Sequence, residues 1–311
     1  MNARITAPSI LLTRRRALAG LVGLGAAAAV FPRTSWAQSS TPDAAAPHAA
    51  TPASGATAAA WTKFNLNVIT SDQILTIPGA GDKMTREFAE YRPYATVLQF
   101  RQEIGKYVGG DVTTGYEQYV FVPIDPTQVD AATLATLPGV DADRAAALAK
   151  SVPFASDDAF VQAVTAVVSA DQAAIIPSYL ASKAQPSVIW TKFNLNTATD
   201  AQFKTIPGVD DKMLTVFNEH RPYVSIKTFR DEIGKSVDSG VVAGFERYVF
   251  VPVDATQADA ETLAQLPGVN ADVAAELMKS APFASTAALL AALAKVVSTD
   301  QAAAAAAFMA S

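Results

Sequence analysis

The sequence contains no cysteine, which excludes disulfide staples, thiolate metal sites and thiol redox chemistry. Histidine is nearly as scarce. His48 and His220 are the only two, and neither is spaced with acids in the manner of a metal centre or a Ser–His–Asp arrangement. No catalytic residue, no metal site and no cofactor is expected. Long apolar runs are also missing. The stretch from Ala17 to Phe31 is rich in Ala and Gly and falls short of the about 20 residues that a bilayer span needs. Gly79-Ala80-Gly81 is no dinucleotide fingerprint, because no strand–glycine–helix pattern surrounds it. It reads as a turn.

What is present begins with an export signal over residues 1–37. Arg14, Arg15 and Arg16 precede the Ala/Gly-rich run, and Ser35-Trp36-Ala37 offers small residues for cleavage before Gln38. The arginines resemble a twin-arginine signal, with Ala17 where that pattern prefers an aromatic; the general secretory route is the alternative. The expected location is the periplasm, the outer surface or the medium, with no membrane span in the mature chain. The signal holds five arginines and no acid, so its removal takes the balance from 24 basic against 29 acidic residues to 19 against 29. A protein built to coat DNA carries the opposite footprint.

Residues 38–60 form an Ala/Pro/Ser/Thr segment with too little bulk for a core, read as a disordered tether that includes His48. From Trp61 the chain repeats itself. "WTKFNLNVITSDQILTIPG" returns at Trp190 as "WTKFNLNTATDAQFKTIPG". The segments 61–182 and 190–311 align without a gap and match at more than half of their positions, with 183–189 as a joint. That is a duplication. A fainter repeat lies inside each copy: the Pro-Gly at Pro78 recurs at Pro138, and that at Pro207 recurs at Pro267. Each is followed at a fixed distance by a second proline, then an aromatic, then a Ser or Thr: Thr96, Ser156, Ser225 and Ser285. Four units result, of about 60 residues each: 61–122, 123–182, 190–251 and 252–311.

The template reads as short helices. Ile74/Ile77, Leu134/Leu137, Phe203/Ile206 and Leu263/Leu266 share one helical face. Pro-Gly stops that helix, the glycine supplying the backbone freedom of a tight turn. A second helix buries Phe88, Leu148, Phe217 and Leu277. The next proline ends it, and the Ser or Thr after it caps a third. "GYEQYVFV" and "GFERYVFV" read as a fourth helix with a short extended exit. The predicted fold class is all-α: four helix-hairpin-helix units in two duplicated halves.

"FNLNTATDAQFKTIPGVDDKMLTVFNEHRPYVSIKTF" resembles the helix-hairpin-helix repeat of the competence protein ComEA family. Its members carry an "NLNTA" lead-in, a "PGIG"-type hairpin and an "RPF"-type exit. Here the lead-in is Asn194-Leu195-Asn196-Thr197-Ala198, and Asn65-Leu66-Asn67 in the first copy. The resemblance is strong in units one and three and faint in units two and four. It implies small all-α domains and, in ComEA, non-sequence-specific DNA binding outside the cytoplasm. A related branch of similar fold includes a structural extrinsic subunit of photosystem II. Fold alone does not settle function.

Hairpins of this type hold DNA by its backbone: main-chain N–H groups at the second helix's N-terminus meet a phosphate, helped by the helix dipole. Nearby Lys or Arg adds salt-sensitive affinity. Unit one keeps Gly79 and Gly81, with Lys83 and Arg86 on the next helix but Asp82 beside them. Unit three keeps Gly208 and Lys212 but has Asp210 at the second glycine's position, followed by Asp211. Units two and four place Asp141 and Asn270 at the second glycine's position. In all three units, at Asp141, Asp210 and Asn270, the side chain caps its own helix, stabilising it by about 1 kcal/mol, and takes the phosphate's place. Units two and four are also acidic, with two basic residues each against seven and six acids. DNA contact would therefore run through units one and three: Gly79, Gly81, Lys83, Arg86, Arg92, Gly105 and Lys106 in the first, and Gly208, Lys212, Arg221, Gly234 and Lys235 in the second. Gly105-Lys106 and Gly234-Lys235 form either a second phosphate hairpin or a solvated helix end.

The expected function is that of an exported, non-enzymatic scaffold contacting an unknown protein or extracellular polymer through its hairpins. The alternative is ComEA-like DNA binding through units one and three. A third reading makes the acidic units a loose divalent-cation binder.

Overall fold

A computed structural model describes residues 57–183 and 185–310; the export signal and most of the tether lie outside the described residues. Each half opens on a strand and continues into helices. The first half runs β1 (Ala58–Asn65), α1 (Ser71–Leu75), α2 (Asp82–Glu90), α3 (Val97–Gly105), α4 (Gly110–Tyr116) and β2 (Val120–Phe121) through unit one. Unit two adds α5 (Ala131–Leu134), α6 (Ala142–Ala149), α7 (Asp157–Thr165) and α8 (Ala170–Ile175). The second half repeats the order: β3 (Ser187–Asn194), α9 (Asp200–Phe203), α10 (Asp211–Glu219), α11 (Ile226–Ile233), α12 (Ser239–Glu246), β4 (Val249–Phe250), α13 (Ala260–Leu263), α14 (Ala271–Met278), α15 (Thr286–Leu293) and α16 (Thr299–Ala305).

The expectation of an all-α fold is overturned. About 49% of the described residues are helical, and the two halves are joined by a four-stranded mixed sheet in the order β2-β1-β3-β4. β1 and β3 pair antiparallel with Trp61 opposite Trp190, while β2 and β4 add in parallel at the edges. The strands reach into segments read as connectors, β1 from Ala58 and β3 from Ser187. The reason lies in their inward faces. "AAAWTKFN" alternates in burial, but its inward positions include Lys63 and Asn65, which are 6% and 0% exposed. A lysine and an asparagine on the buried face hide the period-two apolar pattern by which a half-buried strand is recognised. Each strand also needs its partner from the other copy, so neither is stable within its own unit.

The helical parts follow from local chemistry. Thr96, Ser156, Ser225 and Ser285 each accept a hydrogen bond from the backbone N–H three residues on and start α3, α7, α11 and α15. Gly79, Gly139, Gly208 and Gly268 take φ between 77° and 82°, the left-handed conformation that costs a side-chain-bearing residue most. Phe88, Phe100 and Tyr116 meet edge to face in unit one, and Phe217, Phe229 and Phe245 do the same in unit three. The "NLN…RPY" residues form a latch. Asn67 accepts from the Tyr94 N–H at 2.8 Å and donates to its carbonyl at 3.0 Å, and Asn196 treats Tyr223 alike. Thr133 and Thr262 accept from the N–H groups of Val97 and Ile226, tying each second unit to the first of its half.

Candidate functional site

The four hairpin turns divide into two closed and two open. Residues 137–140 and 266–269 are wholly buried. The Gly139 N–H donates to the hydroxyl of Tyr248 at 3.1 Å, and Tyr119 approaches the Gly268 backbone in the equivalent place. Unit two thus docks on unit three, and unit four on unit one. The amides of Gln172 and Gln301 close over these glycines, so that a Cβ at either would collide with them. They donate onward to the carbonyls of Thr205 and Thr76. Asp141 and Asn270 accept from Arg144 and Val273 N–H at 2.8 and 2.9 Å, capping α6 and α14. Nothing of a phosphate site is left at either turn.

Gly79 and Gly208 are exposed. In unit three Asp210 caps α10 by accepting from Met213 N–H at 2.7 Å, so its site is filled from within. In unit one Gly81 starts α2 with no side-chain cap. Lys83 and Arg86 are exposed on that helix. Lys83 lies 4.9 Å from the Tyr107 ring centroid, Lys106 lies 5.4 Å from that of Tyr91, and the two tyrosine hydroxyls meet at 2.8 Å. Lys106 also pairs with Glu103. In unit three His220 and Ser236 stand where Tyr91 and Tyr107 do in unit one; Lys212 is exposed, Lys235 pairs with Glu232 at 2.6 Å, and Lys204 pairs with Asp211 at 2.8 Å.

Four of the residues proposed from sequence have other work. Arg92 donates to the Ile69 carbonyl at 2.8 Å, and Arg221 to the Ala198 carbonyl at 2.7 Å with its guanidinium over the Phe203 ring. Burial lowers the pKa of both. They brace the lead-in. Gly105 is the last residue of α3, and Gly234 caps α11 in right-handed geometry, so neither forms a glycine turn for phosphate. The lysines beside them sit at solvated helix ends.

The sheet carries a second site that the sequence reading missed. Lys63 and Lys192 reach across the strand pair, each ammonium over the other strand's tryptophan: Lys63 at 4.5 Å from the Trp190 ring centroid, Lys192 at 4.4 Å from that of Trp61. Each donates to one backbone carbonyl, Glu117 at 2.8 Å and Glu246 at 3.1 Å. Desolvation by burial lowers both pKa values, that of Lys192 to about 8 against a raising pull from Glu246. Trp61 donates to the Gln118 carbonyl and Trp190 to the Tyr179 hydroxyl. The rings of Tyr119 and Tyr248, the two tyrosines that close the buried turns, lie 5.2 and 5.5 Å from Trp61 and Trp190. Above them a cleft of about 410 Å³ runs between the halves, bordered by α4 and α12. The signal available in sequence was the heptapeptide "WTKFNLN", identical in both copies.

Among the described residues no helix is long and apolar enough to cross a membrane, and no three His, Asp or Glu side chains cluster as metal ligands would. Comparison with family models, curated proteins and solved structures finds no match to this chain.

Proposed function

We propose that this chain is an exported, non-catalytic binding protein that holds a protein or extracellular polymer partner at its helical-hairpin turns. The observation that carries this reading is the use the chain makes of its own turns. The Gly139 amide holds a tyrosine hydroxyl from the opposite half, and Tyr119 approaches Gly268 in the equivalent place. A turn that grips a phenol within the molecule can grip a hydroxyl or carboxylate on another. The turns at Gly79 and Gly208 share that backbone conformation and lie at the surface, the Asp210 cap at the second taking the helix-start N–H of Met213 and not that of the glycine. Export rests on the arginines and small residues of the N-terminal segment. The test replaces Lys83 and Lys212, both exposed beside open turns, with a photo-cross-linking residue. Cross-links to polypeptide or polysaccharide in the exported fraction support the reading. Cross-links to nucleic acid alone, or to nothing, contradict it.

The DNA reading keeps one specific observation in its favour. Unit one combines an exposed, uncapped helix start at Gly81 with Lys83, Arg86 and Lys106 on the same module. It is a single hairpin, in a chain whose net charge is −5 even with the signal's arginines included.

A further inference from the structure

We propose that the cleft between the two halves binds a small organic anion bearing two carboxylates, with Lys63 and Lys192 as its counter-charges. This inference stands apart from the hairpin reading. Both lysines line the cleft, and both are more than nine-tenths buried. Each has one carbonyl acceptor and one indole face, and among the described residues neither has a carboxylate within salt-bridge distance. A buried ammonium so placed is under-compensated, since a carbonyl dipole and a ring quadrupole do not replace a counter-ion.

The carboxylates that line the cleft are committed elsewhere. Glu117 is held in a two-point fork by Arg101, and Glu246 likewise by Arg230, which also holds Glu261 at 2.9 Å. Arg247 adds a further cation, bonded only to the carbonyls of Ala135 and Thr136 and stacked over Trp190. Cations in the lining therefore outnumber carboxylates, and the excess sits at the sheet floor. Arg101 and Arg230 are about half exposed, so the cleft opens to solvent past its rim. The two lysines are related by the antiparallel pairing of β1 and β3. Each strand thus brings one ammonium to the same cleft, and the pair offers one counter-charge to each carboxylate of a dianion. A bound carboxylate would restore the charged form of each amine.

The experiment titrates succinate, and separately inorganic phosphate, into the full chain by calorimetry at pH 8 and constant ionic strength, with Lys63→Met, Lys192→Met and the double variant alongside. Circular dichroism checks that each variant is folded; loss of a buried charge is not expected to unfold the sheet. Expected are saturable succinate binding with proton uptake, seen as a buffer-dependent heat, a loss of at least about tenfold in affinity in each single variant, and no binding in the folded double variant. Absence of succinate binding, phosphate binding alone, or succinate binding undiminished in the double variant overturns the proposal. Should the double variant fail to fold, the single variants and the proton uptake decide.

Discussion

The backbone N–H of Gly139 and the phenolic oxygen of Tyr248 are 109 positions apart in sequence and 3.1 Å apart in space. That bond, with the one from Gln301 to the Thr76 carbonyl beside Tyr119 and Gly268, threads each half's second unit into the other half's first. Tyr248 also lies against Trp190 at the centre of the strand pair. Sheet and hairpins are therefore one clasp, in which the strands bring the tyrosines to the turns and the turns fix the tyrosines.

Tyr248→Phe leaves a buried N–H without an acceptor, and this costs about 1–3 kcal/mol. Tyr119→Phe removes the hydroxyl that approaches Gly268 and is expected to destabilise in the same direction. Tyr116→Phe is the internal control: its hydroxyl donates to the carbonyl of the exposed Gly79, and Phe245 already occupies the equivalent place in unit three. Denaturant melts of the three variants are expected to show two large losses and one small one.

Stability is expected to rise with pH above about 8. The folded pKa of Lys192 is depressed from 10.5 to about 8 by burial. Between these values the unfolded chain binds more protons than the folded one, so raising the pH favours folding, by roughly 3 kcal/mol for this group across the whole interval. Lys63 shifts in the same direction, with Arg247 and Lys192 adding to the desolvation and Glu117 opposing it. Near pH 10 the gain ends, because burial raises the pKa of Tyr119 and Tyr179 and their ionisation favours the unfolded chain. Melts of wild type and of Lys192→Met from pH 7 to 10 check this. The variant should start more stable and rise less.

The open and closed turns respond oppositely to substitution. At Gly81 a Cβ meets nothing within 4 Å, and the backbone there is extended with φ −79°. Gly81→Asp should cap α2 as Asp210 caps α10 and add about 1 kcal/mol. Gly139→Ala combines a left-handed φ of 77° with a collision against Gln172 and should destabilise by several times that amount. Thermal melts of the two variants read both effects.

Much of this architecture is legible in the residues. Pro-Gly followed by Asp141, Asp210 or Asn270 announces a turn and a self-capped helix, because both depend on neighbours within four positions. The caps at Thr96, Ser156, Ser225 and Ser285 are equally local. What stays hidden is long-range. Nothing near Tyr119 or Tyr248 shows that each hydroxyl closes a turn in the other half. Lys63 and Lys192 break the alternation that would mark a strand, and the feature that breaks it is the cleft's own chemistry. The bonds of Arg92 and Arg221 to the Ile69 and Ala198 carbonyls are hidden for the same reason, since each acceptor lies 23 positions away.

The most direct test of the central claim titrates the chain from Gln38 onward into labelled duplex and single-stranded DNA at several salt concentrations. With two turns closed by tyrosine, a third capped by Asp210 and a fourth beside Asp82, the account predicts no binding even at low salt, in wild type and in Lys83→Glu/Lys212→Glu alike. Binding that falls steeply with salt and disappears in the double variant would contradict it, and would make the open turns nucleic-acid ligands.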